Sequence, residues 1–191
     1  MKKLAIFASG GGTNMEAITR YFLDKKPSDI VVACVITDQK NAYVRERSKK
    51  FGIPCFYMSK QQLNDKEYLL GLLDTYSVDA IVLAGYLRLV PTFLLEAYPE
   101  RIVNIHPALL PKYGGKGMYG MNVHQAVKQS GERETGITIH VIDQEYDKGK
   151  TLFQAKVSIE DTDTPEDIAN KVHVLEHKYF APTIERWLNS N

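Results

Sequence analysis

The sequence is poor in the features that would assign it to a class at once. It holds only two cysteines, Cys34 and Cys55, among 191 residues. Both sit in apolar, strand-like runs, so a disulfide framework is excluded and reduced, buried thiols are expected. Charge of neither sign dominates: 24 basic residues stand against 23 acidic ones, for a formal net charge of +1. With the signs interspersed, neither a basic face for nucleic acid nor a polybasic segment for a membrane is present, and the expected partner is a small molecule. Long hydrophobic runs are missing too, so no transmembrane segment is expected. The opening "MKKLAIFASGGG" places two lysines before an apolar run. That run is about six residues long, short of the roughly 7–15 of a signal-peptide core, and it leads into glycines; a cytoplasmic chain is expected. Repeats and low-complexity tracts are absent and no composition shift marks a linker. Residues 1–191 therefore read as a single domain, large enough to bury a substantial core.

What is present is alternation. Apolar runs at 4–8, 30–36, 54–57, 80–84 and 102–105 are separated by amphipathic segments at 14–23, 43–51, 65–76 and 92–98. Strands that are apolar on both faces and separated by helices imply an α/β fold: an open, doubly wound, mostly parallel sheet with helices on both faces. Ligands of such sheets bind beyond the carboxyl ends of the strands. After the glycine-rich "PKYGGKGMYGMN" the pattern changes. A short helix near 123–129 precedes two strands, 136–142 and 151–159, long enough to pair with each other. A last helix opens at "TPED", with Thr164 as cap and Pro165 at the first helical position, and is expected to run through Tyr179 before Pro182 interrupts it.

Two stretches carry chemistry. "ASGGGTNME" joins the first strand to the first helix. Thr13 and Glu16 have capping-box spacing, and Gly10 to Gly12 let the backbone approach a ligand closely. Amides at a helix N-terminus favour an anion. No Gly-Lys-Ser/Thr follows, as a Walker loop requires, and Met15 occupies the third glycine position of a dinucleotide fingerprint, so a phosphate monoester is the better guess. The plain alternative is a tight turn that needs glycine and binds nothing.

The second stretch is "IVNIHPALLP". Asn104 and His106 lie two apart at the carboxyl end of a predicted central strand, so both point to one face. The segment "HVIDQEYDKGK" supplies Asp143, Glu145 and Asp147. A carboxylate near a histidine stabilises the imidazolium, and an asparagine amide can hold an oxyanion, which together fit attack on a carbonyl carbon. His106 as a core histidine bonded to backbone is the plain alternative. A metal held by His106, His140 and Asp147 lacks support from any HExxH or Cys/His cluster. No serine elbow is present and neither cysteine adjoins a histidine, so covalent catalysis is not indicated. His140 reads as structural, and His124, His173 and His177, on predicted helices, by default face solvent.

Together "SGGGTN", "LAGYLRLV", "NIHPALLP" and "HVIDQEYDKGK" resemble the formyltransferase family that uses 10-formyltetrahydrofolate, over nearly the whole chain. The resemblance implies a Rossmann-like formyltransferase fold with a C-terminal antiparallel strand pair plus helix. It implies transfer of a formyl group from 10-formyltetrahydrofolate, as co-substrate and without a metal, to the amine of 5-phosphoribosylglycinamide, a step of purine biosynthesis. By motif, Asn104, His106 and Asp147 match the family's catalytic set. Gly12, Thr13 and Asn14 match its phosphate loop, and Glu176 matches a helix position that contacts the substrate ribose. Leu87, Arg88, Leu89 and Val90 match its folate pocket, with Asn104 and the backbone of Asp143, Gln144, Glu145, Tyr146 and Asp147 around the pterin. Lys150 stands where a proline is common, and His173 where some relatives have glutamine. A monomer or homodimer, with neither nucleic acid nor membrane as partner, is expected.

Rivals remain within and outside the family. A formyltetrahydrofolate deformylase usually carries an N-terminal regulatory domain, whereas the first strand here starts at Leu4. A methionyl-tRNA formyltransferase carries an added C-terminal domain, whereas this chain ends soon after Trp187. A non-catalytic phosphate-sensing module would use the glycine loop alone and would not need Asn104, His106 and Asp147 to converge.

Overall fold

The computed structural model describes residues 1–143 and 149–190. The chain forms two compact units, 1–103 and 104–191.

The first unit alternates β1 (Lys2–Phe7), α1 (Thr13–Asp24), β2 (Ile30–Thr37), α2 (Val44–Lys50), β3 (Cys55–Tyr57), α3 (Lys60–Leu63), α4 (Lys66–Thr75), β4 (Ala80–Leu83) and α5 (Thr92–Ala97). Its strand pairs β1–β2, β1–β4 and β2–β3 are all parallel, as expected of runs that are apolar throughout. Leu4, Ala5, Ile6, Ile81 and Val82 are fully shielded from solvent, so β1 and β4 are covered on both faces and no alternation of polar residues is tolerated there. Cys34 and Cys55 are free thiols, and burial pushes Cys34 up to about 12. A single helical turn, α3, was not anticipated. It is fixed by a reciprocal box in which the Ser59 side chain accepts from the Gln62 backbone and the Gln62 side chain from that of Ser59.

In the second unit, β5 (Ile102–His106) enters from the first, followed by α6 (Met121–Gln129), β6 (Glu134–Val141), β7 (Thr151–Ser158) and α7 (Pro165–Asn189). Strands β6 and β7 pair antiparallel, as the sequence pattern suggests. β6 is buried along nearly its whole length while β7 alternates exposed and half-buried residues, as befits an edge strand. Thr164 caps α7 in a full capping box with Asp167, and Pro165 follows it. The expected break at Pro182 does not occur: α7 runs on to Asn189. A proline costs the helix one hydrogen bond. Here Phe180, Ala181, Ile184 and Leu188 are all buried around it, and burial of about 1.5–3 kcal/mol per large side chain outweighs that loss.

Candidate active site

The glycine loop lies in the first unit. Helix α1 starts at Thr13 as expected, but the proposed Thr13–Glu16 box is not formed. Gly12 is the N-cap, at φ 75°, and the Glu16 carboxylate instead accepts from Arg20 (Nη2, 2.8 Å) and from Arg47. These two guanidinium hydrogen bonds hold Glu16 below the usual carboxylate range. A Cβ on Gly12 would collide with Val44, while Cβ atoms on Gly10 and Gly11 would meet nothing within 4 Å. The tight-turn explanation therefore accounts for Gly12 and leaves Gly10 and Gly11 without a packing reason.

The orientation of the peptide planes supplies one. The Gly10 carbonyl accepts from Val44 N–H (3.1 Å), and the Gly11 carbonyl from Arg47 Nε (2.8 Å). Both peptides are trans, so the N–H of each following residue points opposite to the engaged carbonyl. The Gly11 and Gly12 amides are thus turned away from α2, and the first amides of α1, from Thr13 on, lack intrahelical acceptors. Successive backbone N–H groups at a helix N-terminus form an anion cradle.

A second feature of this unit is the segment after β4. Leu87 N–H donates to Ser9 Oγ (3.0 Å), and Arg88 Nε donates to Asp38 Oδ2 (2.7 Å). Burial pushes the Asp38 carboxyl up, but hydrogen bonds from Ser9, Arg88 and Gln39 outweigh it and leave the group below its ordinary value. The segment is anchored from below, so Leu87 and Leu89, 52% and 58% exposed, are presented outward as apolar surface. Val90 is buried. Arg88 is committed through its guanidinium to the ion pair with Asp38.

The second unit holds the polar end of β5. Asn104 is half-buried and His106 is buried. Asn104 Nδ2 lies 3.1 Å from His140 Nε2. The amide nitrogen is a donor, so it fixes His140 Nε2 as acceptor, and Asn104 keeps a second N–H and its carbonyl oxygen. His106 Nε2 lies 2.8 Å from the Tyr113 carbonyl, which only accepts, so Nε2 carries the proton. This is the backbone bond of the plain reading, and it also fixes the tautomer: in the neutral ring Nδ1 has the lone pair. The segment after His106 is pinned by Thr138, whose hydroxyl donates to Ala108 O (2.7 Å) and accepts from Leu110 N–H (2.9 Å) and from Gln154 Nε2 (2.8 Å). Tyr113 itself sits at φ 57°, an uncommon left-handed conformation for a bulky residue.

On α6 and α7 the helical histidines divide. His124 is buried, not solvent-facing as expected: it lies on the buried side of α6 with Val123 and Val127. Burial lowers its pKa, Glu176 raises it, and His106 lowers it, which puts all three groups in one electrostatic neighbourhood. His173 Nδ1 meets Glu176 Oε2 at 2.9 Å and its ring packs 4.1 Å from that of His177. His140 and His124 are the residues sequence reasoning undervalued; a histidine inside an otherwise apolar face was the available signal. Asp143 is exposed. Gln144, Glu145, Tyr146 and Asp147 lie outside the described residues. Among the described residues, no group of three or more His, Cys, Asp or Glu could hold a metal ion, and no helix is long and apolar enough to cross a membrane.

The sequence pattern of the formyl transferase family matches residues 2–184. The chain is 43% identical over 188 residues to the chloroplastic phosphoribosylglycinamide formyltransferase of Arabidopsis thaliana, covering 96% of this chain and 64% of that one. It is 37% identical to the phosphoribosylglycinamide formyltransferase of Bacillus subtilis, covering 100% and 97%. The chain thus spans less than two thirds of the chloroplastic relative and nearly all of the bacterial one. The crystal structure of phosphoribosylglycinamide formyltransferase from Bacillus halodurans superposes with a TM-score of 0.86 at 38% identity, covering 98% of this chain and 95% of that one. A glycine cradle after β1, an amide and an imidazole ending β5, and this match over almost the whole length lead to one conclusion: the chain belongs to the formyl transferase family.

Proposed function

We propose that this chain transfers the formyl group of 10-formyltetrahydrofolate to the amine of 5-phosphoribosylglycinamide, giving formyl-phosphoribosylglycinamide and tetrahydrofolate in purine biosynthesis. Residues 1–191 act as a single catalytic domain, in the cytoplasm. The observation that carries the choice of acceptor is the glycine loop: its two engaged carbonyls turn amides outward for an anion, and a phosphate monoester is what this acceptor offers and water, the acceptor of a deformylase, does not. The substrate phosphate sits on Gly12, Thr13 and Asn14, and Glu176 contacts the ribose.

The formyl donor is held by Leu87, Arg88, Leu89 and Val90 and by residues 143–147. The exposed pair Leu87 and Leu89 on an anchored segment suits the face of a flat aromatic ring, with Arg88 contributing backbone while its guanidinium stays with Asp38. The acceptor amine, with an ordinary pKa of about 8, is partly neutral at cell pH and attacks without strong activation. A nitrogen–carbon bond forms, the formyl oxygen becomes an oxyanion, and the bond to the folate nitrogen breaks as the amine proton passes to that nitrogen. The amide N–H that Asn104 does not give to His140 stabilises the oxyanion. With His106 Nε2–H engaged by Tyr113, a carboxylate from Asp147 meets Nδ1–H of the imidazolium, whose charge also favours the oxyanion.

The test mixes the protein with 10-formyltetrahydrofolate, with and without phosphoribosylglycinamide. Donor consumption that depends on the acceptor, with formyl-phosphoribosylglycinamide formed, is expected. Formate release with water alone would assign a deformylase instead, and no consumption in either mixture would leave only a phosphate-binding module.

A further inference from the structure

We propose that Arg47, on α2, is a positioning residue for the anion loop: through its bond to the Gly11 carbonyl it sets the Gly11–Gly12 peptide so that the Gly12 amide faces the substrate phosphate. The inference rests on the reading of that loop as the phosphate site and adds a residue outside the loop to it.

The geometry is specific to a guanidinium. Arg47 Nε donates to the Gly11 carbonyl at 2.8 Å while Nη1 pairs with the Glu16 carboxylate. One planar fork thus ties a loop carbonyl and the first turn of α1 to the same helix. The guanidinium also lies 5.1 Å from the centre of the Tyr43 ring, and its side chain is 24% exposed, so it is held on several sides. The neighbouring peptide is fixed independently by Val44 N–H. A glycine pair has little intrinsic preference between the two orientations of the peptide plane joining it. Left without Arg47, the Gly11–Gly12 plane could rotate and present its carbonyl, not its amide, to an anion. Because Glu16 is shared with Arg20, the three groups keep a net charge of +1, so the direction of the Arg47 hydrogen bond has to be separated from its charge by experiment.

Two variants separate these effects. R47K keeps the cation but offers a point donor that cannot span both acceptors, and R47M keeps the stem alone. For both, KM for phosphoribosylglycinamide rises about tenfold, the worth of one hydrogen bond to a charged group, while kcat and KM for 10-formyltetrahydrofolate stay close to the parent's. A parent-like KM in R47K overturns the proposal, because charge would then suffice; so does an equal rise in both KM values, which would mark general damage. The second measurement titrates inorganic phosphate against the amide resonances of Gly11 and Gly12. The parent's Gly12 amide shifts and that of R47M does not. An equal shift in R47M overturns the role of Arg47 alone. No shift in the parent overturns the loop reading, and this inference with it.

Discussion

The glycine loop and the end of β5 are two ways of building a polar site from an apolar strand. After β1 the loop uses backbone: the Gly11 and Gly12 amides are turned outward because the carbonyls of Gly10 and Gly11 are engaged by α2. At β5 the site uses side chains, Asn104 and His106, and each is oriented by one bond from within the second unit, to His140 and to Tyr113. A backbone cradle tolerates changed side chains but fails when a peptide plane turns. A side-chain pair tolerates backbone adjustment but fails when one group is lost. Under the proposed function the contrast also separates binding from chemistry, because a phosphate that does not react needs a rigid grip, while a carbonyl passing through a tetrahedral adduct needs groups matched to the charge that develops.

The largest effect should come from the side-chain site. Asn104→Ala removes the proposed oxyanion donor and should lower kcat by about 10²–10³, with KM little changed. Steady-state kinetics check this, and near-normal turnover would remove the proposed role of Asn104. Next, the backbone site is broken at Gly12. Gly12→Ala places a Cβ against Val44 at a positive φ and should cost about 2–4 kcal/mol of stability, whereas Gly11→Ala enters open space and should cost less than about 1 kcal/mol. Denaturant unfolding of the two variants compares them, and equal losses would contradict the packing account.

Smaller is the difference between the helix starts. Thr164→Ala breaks a formed capping box and should cost about 1 kcal/mol. Thr13→Ala breaks none, because Gly12 is the N-cap there, and should fall within about 0.5 kcal/mol of the parent. The smallest effect is pH dependence. His124 titrates below its ordinary value of 6.5 because of burial, so the unfolded chain binds its proton before the folded one does. Its contribution is intact above that pH and is lost as pH falls through the lowered folded value. Thermal unfolding between pH 7 and 5 should therefore show a smaller acid-dependent loss in His124→Gln than in the parent.

The fold was largely legible because doubly covered parallel strands leave a strong signature. The runs at 4–8 and 80–84 correspond to β1 and β4, since nothing polar can be accommodated there. The antiparallel pair was legible from length and position. Failures came where tertiary contacts overrode local preference. Pro182 is a helix breaker in isolation, yet the buried face of α7 carries the helix past it. Thr13 and Glu16 have the spacing of a box, yet Glu16 finds stronger partners in Arg20 and Arg47. His124 lies on a helix like His173 and His177, but only His124 falls on the side that packs.

The sequence by itself determined the strand–helix alternation, the places where polar residues interrupt apolar strands, and the chemical types gathered there, because periodicity and residue chemistry are local properties. Tertiary structure alone decided which way each group faces: that Arg47 takes the Gly11 carbonyl, that His140 takes one N–H of Asn104, and that Tyr113 fixes the tautomer of His106. Two of those bonds join residues 36 positions apart and the third residues 7 apart, and each depends on direction, which no sequence spacing encodes.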